Sequence, residues 1–116
     1  MAMTPEGRVK KAVKEILAAY APLVAGRWPV QNGMGKPMLD YVGCCCGLHF
    51  EIETKAKAKD MLTPRQQLTK EEMEAALGKV FVVREVDGFE IKELEEWLYR
   101  TVMQHKRKQT AYKALE

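Results

Sequence analysis

Residues Gly33 to Lys55 read GMGKPMLDYVGCCCGLHFEIETK, and the turn inside this stretch decides the architecture. Leu48 to Lys55 alternates, with Leu48, Phe50 and Ile52 on one face and His49, Glu51, Glu53 and Lys55 on the other, the pattern of a strand. Met38 to Gly43 predicts the strand before it. If Cys46-Gly47 is the two-residue loop that hairpins favour, Cys45 pairs with Leu48 and, counting outward, Asp40 pairs with Glu53. Directly opposed residues have Cβ atoms about 5 Å apart. Two carboxylates at that separation can ligate one divalent cation together and are too close to sit unpaired without repulsion. Lys55 lies two residues beyond Glu53 on the same face.

Around this hairpin the chain is 116 residues long, enough for one domain and one core. Hydrophobic residues make up 47% and charged residues 30%, a globular composition, and no apolar run approaches the roughly 20 residues that span a bilayer. The first 25 residues carry charges in helical spacing and no cleavable apolar segment, so an intracellular, cytoplasmic protein without a membrane partner is expected. The three cysteines, Cys44 to Cys46, are consecutive and lack a second cluster, which argues against a disulfide framework. His49 lies nearby, but adjacent cysteines point to alternate faces and no CxxC pair exists, which argues against structural zinc. The cysteines are expected to form the turn.

The net charge of +3 is modest, and its distribution is uneven. From Met1 to Lys36 the basic residues are Arg8, Lys10, Lys11, Lys14, Arg27 and Lys36, against Glu6 and Glu15. From Arg100 to Glu116 they are Arg100, Lys106, Arg107, Lys108 and Lys113, against Glu116 alone. Both ends could meet an anionic partner, although solvated helix faces explain either end taken singly.

Before the hairpin, Thr4-Pro5-Glu6 predicts a helix start, with Val9, Val13, Ile16, Leu17 and Tyr20 as its buried stripe and an end near Ala21. A short strand is expected within Gly26 to Asn32, confined to an edge by Pro29. After the hairpin, Ala56 to Met61 shows no pattern. Thr63-Pro64-Arg65-Gln66 matches a capping box opening a second helix that turns Met73, Ala76 and Leu77 to the core and stops at Gly78. Lys79 to Arg84 predicts a strand covered on both faces. Asp87-Gly88 turns the chain into a third helix marked by Ile91, Leu94, Leu98 and Val102. Residues 105–116 are a helix extension or a basic tail.

Glu51, Glu53 and Lys55 alone would be the solvent face of a strand. The hairpin register that sets Asp40 against Glu53, the glycines before Asp40 and the capped helix after Lys55 change that balance. In these features the chain resembles a stand-alone VRR-NUC domain, of the kind found in phages, of the PD-(D/E)XK nuclease superfamily. The residues that match are Glu6, the Gly35-Lys36-Pro37 approach, Asp40-Tyr41-Val42-Gly43, Glu53-Thr54-Lys55, Thr63-Pro64-Arg65-Gln66 and the strand Val80 to Val83. One departure is that Leu39 precedes Asp40, where the usual motif has proline; the nearest is Pro37.

The resemblance implies an α/β fold with a restriction-endonuclease-like αβββαβ core, a mixed central sheet flanked by helices, and an additional C-terminal helix. It implies a metal-dependent endonuclease acting on DNA, structure-specific in the manner of a Holliday-junction resolvase, with a symmetric homodimer cutting branched DNA. Asp40, Glu53, Lys55 and Gln66 would be catalytic, and Asp40, Glu53 and Glu6 would hold Mg²⁺ or Mn²⁺, with the Ile52 or Thr54 carbonyl as a further oxygen. Local explanations exist for two of these: Glu6 sits where a helix dipole favours an acid, and Gln66 completes a capping box. Phosphates would meet Lys10, Lys11, Lys14, Lys36, Lys57 and the basic tail. Trp97 and Leu98 on the third helix are the candidate dimer contact. The competing expectation is a catalytically inactive nucleic-acid-binding module of the same fold.

Overall fold

In the computed structural model, which describes residues 3–115, the hairpin forms as its turn requires. Cys46 and Gly47 take φ of 50° and 87°, the pair of positive values that a tight turn between twisted strands demands. Strand β2 (Tyr41–Cys45) therefore runs antiparallel to β3 (Leu48–Thr54), pairing Cys45 with Leu48 and Tyr41 with Ile52. Continued by one residue, this register sets Asp40 opposite Glu53. The cysteine run is not simply the turn: Cys44 and Cys45 are strand residues, and only Cys46 turns the chain.

The other elements are α1 (Pro5–Ala19), β1 (Val24–Arg27), α2 (Pro64–Ala75), β4 (Lys79–Val83) and α3 (Phe89–Ala114). The four strands lie in the order β1-β2-β3-β4, with β1, β2 and β3 antiparallel and β4 parallel to β3 through the α2 crossover. The β1 strand sits upstream of its expected place, at Val24–Arg27, with Pro29 outside it. The reason is the donor that proline lacks: pairing with β2 uses backbone that contains no proline.

One sheet face carries the core. Val9, Val13 and Leu17 of α1 and Ile91, Leu94, Leu98 and Val102 of α3 pack on Tyr41, Cys45, Phe50, Ile52, Phe81 and Val83. Thr4 caps α1 by accepting the Gly7 N–H at 3.0 Å. Trp28, Tyr41, Phe50, Trp97 and Phe81 follow one another across this face with ring centroids 5.2, 5.6, 5.3 and 5.6 Å apart. Leu98 is fully buried in this chain's own core and Trp97 packs partly buried against it, so helix α3 covers the sheet with both residues. Helix α3 outlasts the sheet: its last buried residue is Val102, and residues 106–115 are exposed. The C-terminal segment is a helix extension as far as Ala114, while Glu116 lies outside the described residues.

The opposite face is covered more thinly. Helix α2 lies against β4 and has no fully buried residue. Ala76 and Leu77 do not turn to the core; Leu77 is 94% exposed with φ of 69°, the left-handed residue that ends the helix. Gly78, the glycine expected to stop the helix, serves a close approach instead: a Cβ on it would lie 2.9 Å from Met73 Cγ and 3.1 Å from the Met73 carbonyl oxygen. Among the described residues, no helix is long and apolar enough to cross a membrane.

Two further glycines are required by packing. Gly26 and Gly43 face each other across β1 and β2, and the Tyr41 ring lies over both. A Cβ at Gly43 would come within 2.6 Å of the ring, and one at Gly26 within 2.3 Å of the Tyr41 hydroxyl and 2.6 Å of the Val42 carbonyl oxygen. Overpacking of this kind costs about 1–3 kcal/mol. Urea unfolding should show Gly43→Ala and Gly26→Ala each losing stability on that order, with Gly26→Ala the worse because backbone as well as ring must move. Two variants as stable as the wild type would contradict this packing.

Candidate active site

The site lies where β2 begins, β3 ends and α2 begins. β3 is an interior strand, paired to β2 on one side and β4 on the other. Its C-terminal half is covered on both faces, so Glu51 and Glu53 are each only 3% exposed. The solvent face expected for these acids is absent, because β4 and α2 enclose it.

Each carboxylate has its own anchor. Asp40 Oδ2 accepts two hydrogen bonds from Thr54, from the backbone N–H at 3.0 Å and from the hydroxyl at 2.7 Å. Glu53 Oε1 accepts one from Gln66 Nε2 at 3.0 Å. Glu53 Oε2 is buried and has no partner. Lys55 Nζ donates to Gln66 Oε1 at 2.8 Å, and the Lys55 N–H continues the β3–β4 ladder by donating to the Val83 carbonyl at 2.9 Å.

Gln66 connects these groups, and its helix cap determines how. Thr63 accepts the Gln66 N–H at 3.2 Å, while Gln66 Oε1 accepts the Thr63 N–H at 2.9 Å, completing the capping box. With Oε1 occupied by Thr63 and Lys55, the amide nitrogen can only face Glu53. The capping explanation and the functional one are therefore the same geometry.

Burial, and then the charge of Asp40, pushes the Glu53 carboxyl up from the ordinary 4.5 to about 8, with Lys55 pulling the other way. A buried acid that is costly to ionise, with one oxygen unpartnered and a second carboxylate beside it, suits a bound cation. Asp40 and Glu53 supply hard oxygen donors, the set that Mg²⁺ or Mn²⁺ takes. Among the described residues no three His, Cys, Asp or Glu side chains gather as a ready cluster. Glu6, half-buried in the first turn of α1, has no hydrogen bond to Asp40, Glu53, Lys55 or Gln66.

The remaining sequence candidates are dispersed. Lys10, Lys11 and Lys14 lie on α1, and Lys14 Nζ stands 5.1 Å from the Trp28 ring centroid. Lys36 is already engaged, 2.7 Å from Glu72 Oε2. Lys57 is exposed beyond β3, in a connection that Asp60 organises by accepting the Ala56 and Lys57 N–H groups at 3.1 and 2.9 Å. His49 and Glu51 pair with each other at 2.7 Å, away from the Asp40 anchor. The three cysteines are free thiols, and burial first, then Cys46 and Cys44, pushes Cys45 up to about 12, which keeps it protonated and unreactive. Sequence reasoning missed the Thr54 side chain as the anchor of Asp40. Nothing in the Glu53-Thr54-Lys55 spacing signals it, since the contact crosses the sheet.

The raised Glu53 carboxyl has a definite pH consequence. Between 4.5 and about 8 the folded state holds a proton that the unfolded state releases, so stability falls as pH rises through that window and is flat above it. At about 1.4 kcal/mol per unit the loss is on the order of a few kcal/mol. Urea unfolding in EDTA from pH 5 to 9 should show this slope, and Glu53→Gln should flatten it and be the more stable protein at pH 8. Parallel curves for the two proteins would refute the assignment.

No family model matches the chain, and no curated protein does. A search of solved structures finds a VRR-NUC domain that is 26% identical, with a TM-score of 0.62, covering 72% of this chain and 88% of that one. The order of elements, the mixed sheet and this likeness agree: the chain is a nuclease-type domain with the VRR-NUC fold and a restriction-endonuclease-like core.

Proposed function

We propose that this protein is a Mg²⁺- or Mn²⁺-dependent endonuclease that hydrolyses DNA phosphodiesters, with branched or junction DNA as its preferred substrate. The observation that carries the reading is Glu53 Oε2, buried without a partner next to a second carboxylate, with Lys55 held on the same face through Gln66. A purely structural acid at that place would keep a costly orphan oxygen for no return.

Asp40 and Glu53 would hold the cation, which when bound supplies positive charge for the phosphate and makes water more acidic. Thr54 fixes the Asp40 carboxylate through two donors on one oxygen, leaving Oδ1 for other work. Lys55 presents a cation to the charge that builds on the phosphate during attack. Gln66 keeps Lys55 and Glu53 in a fixed relation, so the lysine is aimed at the acid pair instead of folding back to form a simple ion pair with it. Glu6 is proposed as an additional acid that approaches only when cation and substrate are present. Lys10, Lys11, Lys14, Lys57 and the basic residues of α3 would hold phosphates without reading sequence, a mode that weakens with salt. Two copies of the chain would suit paired cuts at a branch.

Cleavage of four-way, flap and linear DNA in Mg²⁺, Mn²⁺ or EDTA tests this. Cutting should require a metal, and Asp40→Asn, Glu53→Gln and Lys55→Ala should each lower kcat/KM by about 100-fold or more. A well-folded wild type that binds DNA and cuts none under either metal would leave the inactive binding module of the same fold as the better account. A separate measurement avoids activity altogether: Mn²⁺ binding followed by electron paramagnetic resonance should weaken by about tenfold in Thr54→Val, because the residue that orients a ligand commonly matters that much. Unchanged affinity would mean that Thr54 does not position Asp40 for a cation.

A further inference from the structure

Between β1 and β2 the chain exposes three apolar side chains, Val30 at 93%, Met34 at 83% and Met38 at 43%. The segment is nonetheless braced. Asn32 Oδ1 accepts the Met34 N–H at 3.0 Å, Gln31 Oε1 accepts the Met38 N–H at 3.4 Å, and the Lys36–Glu72 ion pair at 2.7 Å ties it to α2. Gly33 and Gly35 both have φ of 80°, and a Cβ on either would meet nothing within 4 Å. These glycines answer to backbone conformation and not to crowding: they turn the chain on each side of Met34 and leave its side chain outward. Arg65, beside Gln66 at the start of α2, borders a cavity of about 200 Å³ under the same loop.

We propose that Met34 is a wedge that enters DNA at an unstacked base step close to the cut, which makes a branch or flap a better substrate than continuous duplex. This rests on the nuclease reading above and deepens it. Six residues lead from Met34 to Asp40, and an extended residue spans at most about 3.5 Å, so the wedge lies within about 21 Å of the acid pair whatever path the chain takes. At 3.4 Å per base pair that is about six base pairs. Methionine is unbranched, flexible and polarizable, one of the apolar side chains that proteins insert between base steps. Arg65, at the same cavity, supplies charge that suits a phosphate beside an opened step. Inserting such a wedge costs least where stacking is already broken.

The test uses four-way and flap DNA carrying 2-aminopurine, one position at a time, within about six base pairs of the branch. Binding by the Asp40→Asn protein in EDTA should raise the fluorescence at one step, and adding Met34→Ser should remove most of that rise while Met34→Leu retains it. With the active protein, the ratio of kcat/KM on branched over linear DNA should fall about tenfold in Met34→Ser and be kept in Met34→Leu. Thermal unfolding should be unchanged in both, since the side chain is 83% exposed and contributes little to the core. No rise at any step, or a rise and a cleavage ratio that Met34→Ser leaves intact, overturns the wedge. If a rise depends on Met34 and no DNA is cut under any metal, the wedge stands and the nuclease reading falls. If DNA is cut with an unchanged ratio, the reverse holds.

Discussion

The Glu53 carboxylate is held where its charge is expensive, and much of the structure exists to keep it there. Its burial follows from the place of β3 between β2 and β4 and from α2 lying across that face. An acid in that position either keeps its proton to about pH 8 or meets a cation. The Gln66 amide supplies one donor to one oxygen, and the other oxygen is left unpartnered. An apolar side chain there would carry no such cost, and the unmet demand is what the proposed cation site would satisfy.

Two kinds of scaffold converge on it. The core face is conventional: α1 and α3 bury apolar residues against the sheet, and an aromatic succession from Trp28 to Phe81 locks the strands to α3. The opposite face trades packing for polarity. Helix α2 buries no residue fully, and it is held by its cap, by the Gln66 bridge and by the tight passage at Gly78. A helix so attached places the Gln66 side chain at the end of β3 without burying itself against the sheet.

Several features were legible because they depend on local geometry. A two-residue turn dictates hairpin register, so Cys46-Gly47 pairs Cys45 with Leu48 and Tyr41 with Ile52, and one residue further brings Asp40 level with Glu53. The Thr4 and Thr63 caps were visible because an N-cap needs only a side-chain oxygen and a free N–H a few residues on. Other features were misplaced because they depend on what lies across space. The β1 strand fell at Val24–Arg27 because β2 selected that segment as its partner. Leu77 and Ala76 looked like core residues by spacing, but the helix ends at Ala75 and leaves them at its exposed end. Trp97 could be a surface anchor or a core residue by periodicity alone, and Phe50 and Phe81 decide for the core.

By itself the sequence determined the hairpin, its register, the helix starts and the residue types at the site, all consequences of steric and hydrogen-bonding rules within a few residues. Only the tertiary structure decided that Glu53 is buried and half-satisfied, that Thr54 anchors Asp40, and that one glutamine caps a helix and links Glu53 to Lys55. Those facts depend on desolvation and on contacts between residues 11 to 14 positions apart. No periodicity encodes them, because the free energy of a charge is set by everything packed around it and not by its neighbours in the chain.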